Sequence, residues 1–216
     1  MKKHTYLIVD TETTKYQTVA DFGAVIMTRD GAIIEQFGAM VGGHFGKMPL
    51  FSDPKADPSA FWSEQSAQRR AKHYDDMLES GERSISSPAL INKWLERVRG
   101  QHDPILTAYN IAFDFGKCRN TRINLGIFNS RFCLMKTAKR KIGVLADYQA
   151  FCYDNKLLTA KLKRPSMTAD AMAKYICPEM PDEPHTALED ARDYEALILS
   201  YILRDTTRKQ ILELGQ

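Results

Sequence analysis

Residues 6–13 read YLIVDTET, and this stretch predicts how the fold begins. Residues 6–9 are a short apolar run of strand-forming types, and two acidic residues, Asp10 and Glu12, follow it. In an extended chain, residues i and i+2 point to the same side. Both carboxylates are therefore expected to point together at the end of a buried strand.

Two further strand-like runs follow, at residues 22–27 and 32–41. Asp30 and Gly31 lie between these runs, and Asp-Gly between strand-forming segments is typical of a β-hairpin. Three antiparallel strands are therefore predicted to open the fold. The next stretch, residues 42–60, is rich in Gly, Pro, Ser and Asp, and it is predicted to be a long loop.

Helical patterns dominate the rest of the chain. A polar helix is predicted at 63–78, and Ser87 with Pro88 provides the N-cap and first residue of a second helix, which Gly100 is expected to end. The remaining predicted elements are strands at 104–109 and 131–134 and helices at 113–123, 144–153, 168–176 and 186–204. This order of elements predicts an α/β fold with a mixed sheet and helices packed on it.

Composition narrows the class of protein. The 216 residues suit one domain, residues 1–216, and 44% hydrophobic residues are enough for a core. No apolar run has the length of a signal peptide or a membrane span, so a cytoplasmic protein without a membrane partner is expected. The four cysteines form no CxxC pair, which predicts reduced thiols and no zinc site. A net charge of +3 permits a nucleic-acid partner without indicating one.

Three more titratable residues have positions that suggest a shared site. Asp114 follows the strand at 104–109, and α/β sheets tend to bind ligands at the carboxyl ends of strands. Taken alone, Asp114 is better explained as an acid at a helix N-terminus. Asp190 lies beside the apolar stripe of the last helix, where a salt bridge explains a charge as well as a metal ion does. His185 is expected in the loop or cap after Pro184, within reach of the same pocket.

The four carboxylates Asp10, Glu12, Asp114 and Asp190 together carry a charge of −4, which two Mg²⁺ ions would cancel. Like charges held close together repel each other unless one is protonated or a cation lies between them. Carboxylate oxygens select Mg²⁺ or Mn²⁺ over softer metals, and two such ions can stabilise the attacking and leaving oxygens of an in-line displacement. His185, which titrates near neutral pH, would deprotonate the attacking water.

Three segments, DTE at 10–12, NIAFD at 110–114 and HTALED at 185–190, are similar, in order, to the motifs of the DEDDh family of 3′→5′ exonucleases. That family includes the proofreading subunits of bacterial DNA polymerases, ribonuclease T and oligoribonuclease. The resemblance covers roughly residues 6–204. It implies a ribonuclease H-like mixed five-stranded sheet flanked by helices. It also implies hydrolysis of nucleic acid from a 3′ end, with release of nucleoside 5′-monophosphates.

The resemblance assigns a role to each residue of the site. Asp10, Glu12 and Asp190 would hold one metal ion, Asp10 and Asp114 would hold the second, and His185 would be the general base. The residues expected to contact the terminal nucleotide are Thr11, Thr13, Asn110 and Phe113. Phe113 is equally explained as a core residue. Residues 42–86 and 136–165 depart from the family pattern, so the choice between DNA and RNA and the identity of any protein partner stay open.

Basic and aromatic residues alternate in the second of these divergent segments. Such a pattern suits a single-stranded backbone with stacked bases, and a solvated helix face over core aromatics explains it slightly better. The residues concerned are Lys136, Lys139, Arg140, Lys141, Lys161, Lys163 and Arg164, with Tyr148, Phe151 and Tyr153.

Two other functions are compatible with the sequence. The first is a catalytically idle nucleic-acid-binding or scaffold module on the same fold, although the complete set of five site residues argues against it. The second is a non-catalytic, magnesium-stabilised domain of a polymerase complex, although the chain has no polymerase-like segment. A homodimer and a polymerase partner are both possible assemblies.

Overall fold

A computed structural model describes residues 4–58 and 60–216 of the chain. Within that range, six strands form one mixed sheet in the order β4-β3-β2-β1-β5-β6. The strands are β1 Thr5–Thr13, β2 Val19–Thr28, β3 Ile33–Val41, β4 Ser84–Ser86, β5 Ile105–Ala108 and β6 Arg131–Cys133. The first three are antiparallel, as predicted, whereas β4, β5 and β6 pair in parallel with β3, β1 and β5.

The sheet has six strands where five were expected, while the α/β class with a mixed sheet and flanking helices is confirmed. The additional strand is β4, a three-residue edge strand that pairs with the end of β3. Its sequence is SIS, and its single apolar side chain, Ile85, is 60% exposed. A strand this short without a buried apolar face leaves no alternating pattern in the sequence, so it could not be predicted.

Helices surround the sheet in the described part of the chain. They are α1 Glu64–Glu79, α2 Pro88–His102, α3 Ile111–Asn120, α4 Leu134–Lys141, α5 Ala146–Asp154, α6 Ala169–Ile176, α7 Ala187–Glu189, α8 Ala196–Leu203 and α9 Arg208–Leu214. A 3₁₀ turn covers Leu125–Ile127, and a π-helical turn, Asp190–Glu195, joins α7 to α8. Helix α2 passes through Gly100 and ends two residues later, because Asp103 adopts a left-handed conformation with φ of 45° and bonds back to Arg99.

Alternation along β1 divides the core into two layers. Tyr6 and Ile8 pack into a cluster with α4, α5, α6 and α8, whereas Leu7 and Val9 pack on the opposite face with α2 and α3. Successive side chains of a strand point to opposite faces, so a strand that is apolar at every position is buried on both sides. Strand β1 is therefore held between two helical layers, and its carboxyl end is held with it.

Helix α1 belongs to a third, smaller apolar cluster. Tyr74 and Met77 on this helix pack with Met40 at the end of β3 and with Leu50 in the loop before α1. Residues 42–86 thereby fold back along one end of the sheet. No helix in residues 4–58 and 60–216 has both the length and the apolar character that crossing a membrane requires.

Candidate active site

The carboxyl end of β1 carries the first two acids. Asp10 and Glu12 follow Tyr6 and Ile8 in the even-numbered register, so they are directed to the face covered by α6 and α8. The pairing of β1 with β2 changes register immediately after Glu12, a local irregularity of the kind that re-aims side chains beside active sites. Strand β5 runs parallel to β1, so the loop after β5 begins at the same end of the sheet.

Asp114 enters the site from that loop. It lies in the first turn of α3, whose N-cap is Asn110, and its side chain is buried. The Thr11 hydroxyl donates a hydrogen bond to Oδ1 of Asp114 over 2.8 Å. Thr11, the residue between the two acids of β1, therefore ties the end of β1 to the start of α3.

The segment that carries His185 and Asp190 is pressed against β2. The Ala187 backbone N–H donates to Oδ2 of the buried Asp21 over 2.9 Å. A Cβ atom at Gly23 would lie 2.2 Å from the Ala187 backbone, so the close approach requires glycine at this position of β2. His185 itself has a left-handed φ of 56° and precedes α7, as expected for a residue outside the helix.

These elements meet around a cavity of about 510 Å³. Its lining includes the nine residues predicted to bind metal, act as base or contact the terminal nucleotide: Asp10, Thr11, Glu12, Thr13, Asn110, Phe113, Asp114, His185 and Asp190. Phe113 is 43% exposed, so it lies at the rim of the cavity and is not a core residue.

Donor atoms converge most closely at three of these residues. One donor atom each from Glu12, His185 and Asp190 lies within 4.8 Å of the other two. Asp10 and Asp114 line the same cavity but stand outside this closest group.

Burial and mutual repulsion dominate the electrostatics of the cavity. Burial, followed by the charges of Glu183 and Glu12, raises the pKa of Asp190 to about 10. Burial likewise raises the pKa of Glu12 to about 8 and that of Asp114 to about 7, although Arg70 and Thr11 respectively oppose these shifts. The pKa of Asp10 is also held well above its ordinary value by burial and by the neighbouring acids. Without a cation, such a group of acids retains protons at neutral pH.

Within the described part of the chain, the acids of the cavity lack the protein partners that buried charges need, and divalent cations could supply them. Oδ1 of Asp190 is buried and has no hydrogen-bond partner among the described residues. The one cationic group paired with Glu12 there, Arg70, stands 3.8 Å away. Buried carboxylates without sufficient hydrogen bonds or counter-charges are unfavourable unless a metal ion binds them, and their hard oxygen donors suit Mg²⁺ or Mn²⁺.

His185 is covered by aromatic side chains from residues 42–86. The ring of Phe61 lies against the imidazole with a centroid distance of 3.8 Å, and the ring of Trp62 lies 5.9 Å away. Tyr74 on α1 donates a hydrogen bond to the His185 carbonyl over 3.3 Å. Burial, followed by the charge of Arg70, lowers the pKa of His185 to about 4. The imidazole is therefore neutral at pH 7.

Arg70 joins the inserted residues 42–86 to the acids. Its guanidinium pairs with Glu12, donates to the Phe51 carbonyl over 2.8 Å, and lies over the rings of Phe61 and Trp62 at 4.6 and 5.3 Å. Arg70 was not predicted as a site residue from the sequence. The available signal was its spacing with Tyr74 and Met77, which places Arg70 on the buried stripe of a helix that otherwise looks polar.

The cavity is also lined by two acids that were not predicted from the sequence. Glu183 belongs to the proline-rich loop before His185, and burial raises its pKa to about 7. Glu195 lies at the end of the π-helical turn that begins at Asp190. In an α-helix, residues five apart stand about 140° from each other. Helical spacing therefore gave no indication that Asp190 and Glu195 line the same cavity.

The basic and aromatic residues of 136–165 stand away from this cavity, since none of them lines it. Tyr148 is a core residue whose hydroxyl donates to the Ser166 carbonyl. Arg140 donates to the Leu214 carbonyl at the end of α9 over 2.5 Å, and Lys141 pairs with Asp205. Tyr148, Arg140 and Lys141 therefore have structural contacts that explain them without nucleic acid, while Lys139 is exposed.

Comparison with known proteins gives a likeness of fold. No family model matches the sequence, and no curated protein sequence matches it. Among solved structures, exonuclease I in complex with the inhibitor BCBP has a TM-score of 0.56 and 16% identity over 99% of this chain. E. coli exonuclease I in complex with a 5cy-dT13 oligonucleotide has a TM-score of 0.54 and 16% identity over 98% of this chain.

The chain spans less than half of those two proteins, 43% and 42% of their respective lengths. Exonuclease X in complex with 5′-overhanging duplex DNA matches over 98% of this chain and 99% of its own, with 17% identity and a TM-score of 0.45. At these identities, the two exonuclease I structures establish a shared architecture for the α/β sheet and its helices.

Proposed function

We propose that this protein is a metal-dependent 3′→5′ exonuclease that hydrolyses phosphodiester bonds and releases nucleoside 5′-monophosphates. The observation that carries the proposal is the convergence of donor atoms from Glu12, His185 and Asp190 within 4.8 Å, in a cavity also lined by Asp10 and Asp114. The similarity of the three segments containing these residues to the DEDDh motifs supports both the reaction and its 3′ polarity.

The carboxylates would divide the binding of two cations between them. Asp10, Glu12 and Asp190 would hold one Mg²⁺ or Mn²⁺ ion, and Asp10 with Asp114 would hold the second. When bound, the two ions stabilise negative charge on the attacking and leaving oxygens of an in-line displacement. The protein supplies the buried oxygen ligands, which the Thr11 hydrogen bond to Asp114 helps to fix.

His185 would act as the general base. An unprotonated ring nitrogen of the imidazole accepts a proton from the attacking water as the new bond from oxygen to phosphorus forms. The bond from phosphorus to the 3′ oxygen of the preceding nucleotide breaks, and that oxygen takes up a proton. Phe61, whose ring lies 3.8 Å from the imidazole at an interplanar angle of 35°, would restrict the movement of His185.

The terminal nucleotide would occupy the cavity. A volume of about 510 Å³ lies within the range of small-molecule sites, roughly 300–1,000 Å³. Thr13 and Asn110 line the cavity, and the exposed ring of Phe113 at its rim is available to stack on a base. A single-stranded 3′ end, whose bases are free to stack, is the substrate that this arrangement suits best.

A cytoplasmic location is part of the proposal. Cys118, Cys133 and Cys152 are buried and unpaired, which suits a reducing compartment.

Digestion of matched DNA and RNA strands carrying a label at either the 3′ or the 5′ end tests the function. With Mg²⁺, we expect immediate release of the 3′ label as a mononucleotide and gradual shortening of the 5′-labelled strand. A chelator should stop both processes. Failure to digest either strand with Mg²⁺ would favour the idle binding module, and release of the 5′ label first would contradict the polarity.

A further inference from the structure

The π-helical turn Asp190–Glu195 changes which residues share a face of the last helix. Residues five apart diverge on an α-helix, whereas a π-helix closes its hydrogen bonds between residues i and i+5 and brings such residues to the same side. Asp190 and Glu195 stand at the two ends of this turn, and both line the cavity. Single π-helical turns within α-helices occur frequently at functional sites.

Glu195 has an environment unlike that of an ordinary buried acid. Glu195 is only 2% exposed. Its Oε2 accepts one hydrogen bond, from the Tyr109 backbone N–H over 3.1 Å. Within residues 4–58 and 60–216, no lysine, arginine or histidine forms an ion pair with it. A buried carboxylate usually requires a cationic partner or several hydrogen bonds.

The neighbours of Glu195 indicate which part of the cavity it faces. After burial, Glu195 is the acid that raises the pKa of Asp10 most, and Asp114 is the acid that raises the pKa of Glu195 most. Glu12, His185 and Asp190 form the other group of donor atoms in the cavity. Geometry agrees: the hydrogen bond to Tyr109 holds Glu195 at the carboxyl end of β5, which pairs with β1 and is followed by α3, the elements that carry Asp10 and Asp114.

We propose that the Glu195 carboxylate is a further member of the cation-binding set, acting on the ion that Asp10 and Asp114 hold. The inference rests on the proposed metal-dependent function. A second, independent observation also indicates a ligand. At the other end of the same turn, Asp190 is only 3% exposed, and its buried Oδ1 has no hydrogen-bond partner among the described residues. The π-helical turn would therefore direct both Asp190 and Glu195 toward the ions.

Mn²⁺ binding measured by isothermal titration calorimetry on the full chain tests this inference without relying on catalysis. Glu195→Gln keeps an oxygen that accepts the Tyr109 hydrogen bond but removes the charge. We expect the variant to lose one of two binding events, or to bind the weaker ion about tenfold or more less tightly, the scale of loss known for side chains that support a metal site. Asp193→Asn is the matched control, because Asp193 lies on the same turn, pairs with Arg192 and does not line the cavity.

Unchanged stoichiometry and affinity in Glu195→Gln would overturn the inference, and so would an equal loss in Asp193→Asn. Thermal melting in chelator at neutral pH checks the fold, and Glu195→Gln should melt close to the parent because glutamine, like the protonated acid, is uncharged and still accepts the Tyr109 hydrogen bond. If Glu195→Gln does not fold, Glu195→Asp, which withdraws the carboxylate by one methylene, should show the same loss, and parent-like binding would refute the idea. A parent protein that binds no Mn²⁺ would sink the proposed function as well, whereas a parent that binds Mn²⁺ and digests strands isolates the role of Glu195.

Discussion

The two walls of the cavity are built in opposite electrostatic ways. The ends of β1 and α3 contribute acids, Asp10, Glu12 and Asp114, that repel each other until a cation binds. Residues 42–86 contribute Arg70, whose charge is opposite, together with aromatic rings that pack on His185. The first wall is suited to binding metal ions, and the second contacts His185, the proposed base.

The difference separates the acids that line the cavity from Arg70 and Phe61, which contact its lining residues Glu12 and His185. Removing an acid from the first wall would eliminate a ligand that the chemistry needs. Removing a ring from the second wall would loosen the position of His185 but leave its imidazole present. Substitutions in the two walls should therefore lower the rate of nucleotide release by very different factors.

The largest effect is expected at Asp10, the acid shared by both proposed ions. Asp10→Asn preserves the shape of the side chain and removes its charge. A loss of several kcal/mol of charge stabilisation corresponds to about 10³-fold in rate, and we expect the rate of nucleotide release to fall by at least that much. Asp76→Asn, which alters an exposed acid on α1, should digest at the parent rate. Release by Asp10→Asn within tenfold of the parent would contradict the assignment.

An intermediate effect is expected at Phe61. Phe61→Leu keeps an apolar side chain but removes the ring that stacks on His185. An aromatic pair contributes about 0.5–1.5 kcal/mol, so the rate of release should fall by about two- to tenfold. Phe37→Leu, which removes a ring stacked on Trp94 away from the cavity, serves as the control for stability. A loss as large as that of Asp10→Asn would show that the two walls do not differ in kind.

The stability of the metal-free protein should depend on pH in an unusual direction. Folding raises the pKa of Glu12, Asp114 and Asp190 from their ordinary values to about 8, 7 and 10, so between these limits the folded state binds more protons than the unfolded chain, and the free energy of unfolding falls as pH rises from about 4 to 10. His185, whose pKa folding lowers from 6.5 to about 4, opposes this trend at lower pH but is neutral in both states above about pH 7.5.

Melting temperatures in chelator between pH 6.5 and 9 measure that trend. We expect a decrease of several degrees across this range, which saturating Mg²⁺ should largely remove because the ions replace the protons. The variant Asp190→Asn should show a shallower decrease. A melting temperature in chelator that stays constant or rises with pH would be inconsistent with the buried acids described here.

The smallest effect is expected on the surface of α4. Lys139→Glu should weaken binding of a single strand by about two- to threefold and reduce the slope of its salt dependence by about one, as expected for one phosphate contact. Arg140 is a poor probe, because it also caps the end of α9. Lys93→Glu on the exposed face of α2 is the control. No change at Lys139, or an equal change at Lys93, would remove this segment from the binding surface.

The sequence predicts the first wall because its signals are local. The apolar run before Asp10, the Asp-Gly turn between β2 and β3, and the strand before Asp114 each determine a nearby backbone conformation. Parallel pairing of β1 and β5 then brings their ends together. The lining of one cavity by all nine selected residues follows from these local signals and the order of the three motifs.

The rest depends on contacts between distant parts of the chain. Arg70 reaches Glu12 across 58 positions, and Phe61 meets His185 across 124, so neither pairing leaves a periodic trace in the sequence. The contribution of Glu195 depends on a π-helical turn, which no propensity predicts. Edge strand β4 is too short to show alternation.

The location of bound manganese tests the central claim most directly. Anomalous diffraction from crystals soaked in Mn²⁺ should show two peaks in the cavity about 3.5–4 Å apart, one beside Glu12 and Asp190 and one beside Asp114, with Asp10 contacting both. Crystals in which manganese binds only outside this cavity, or in which these carboxylates contact no ion, would contradict the account.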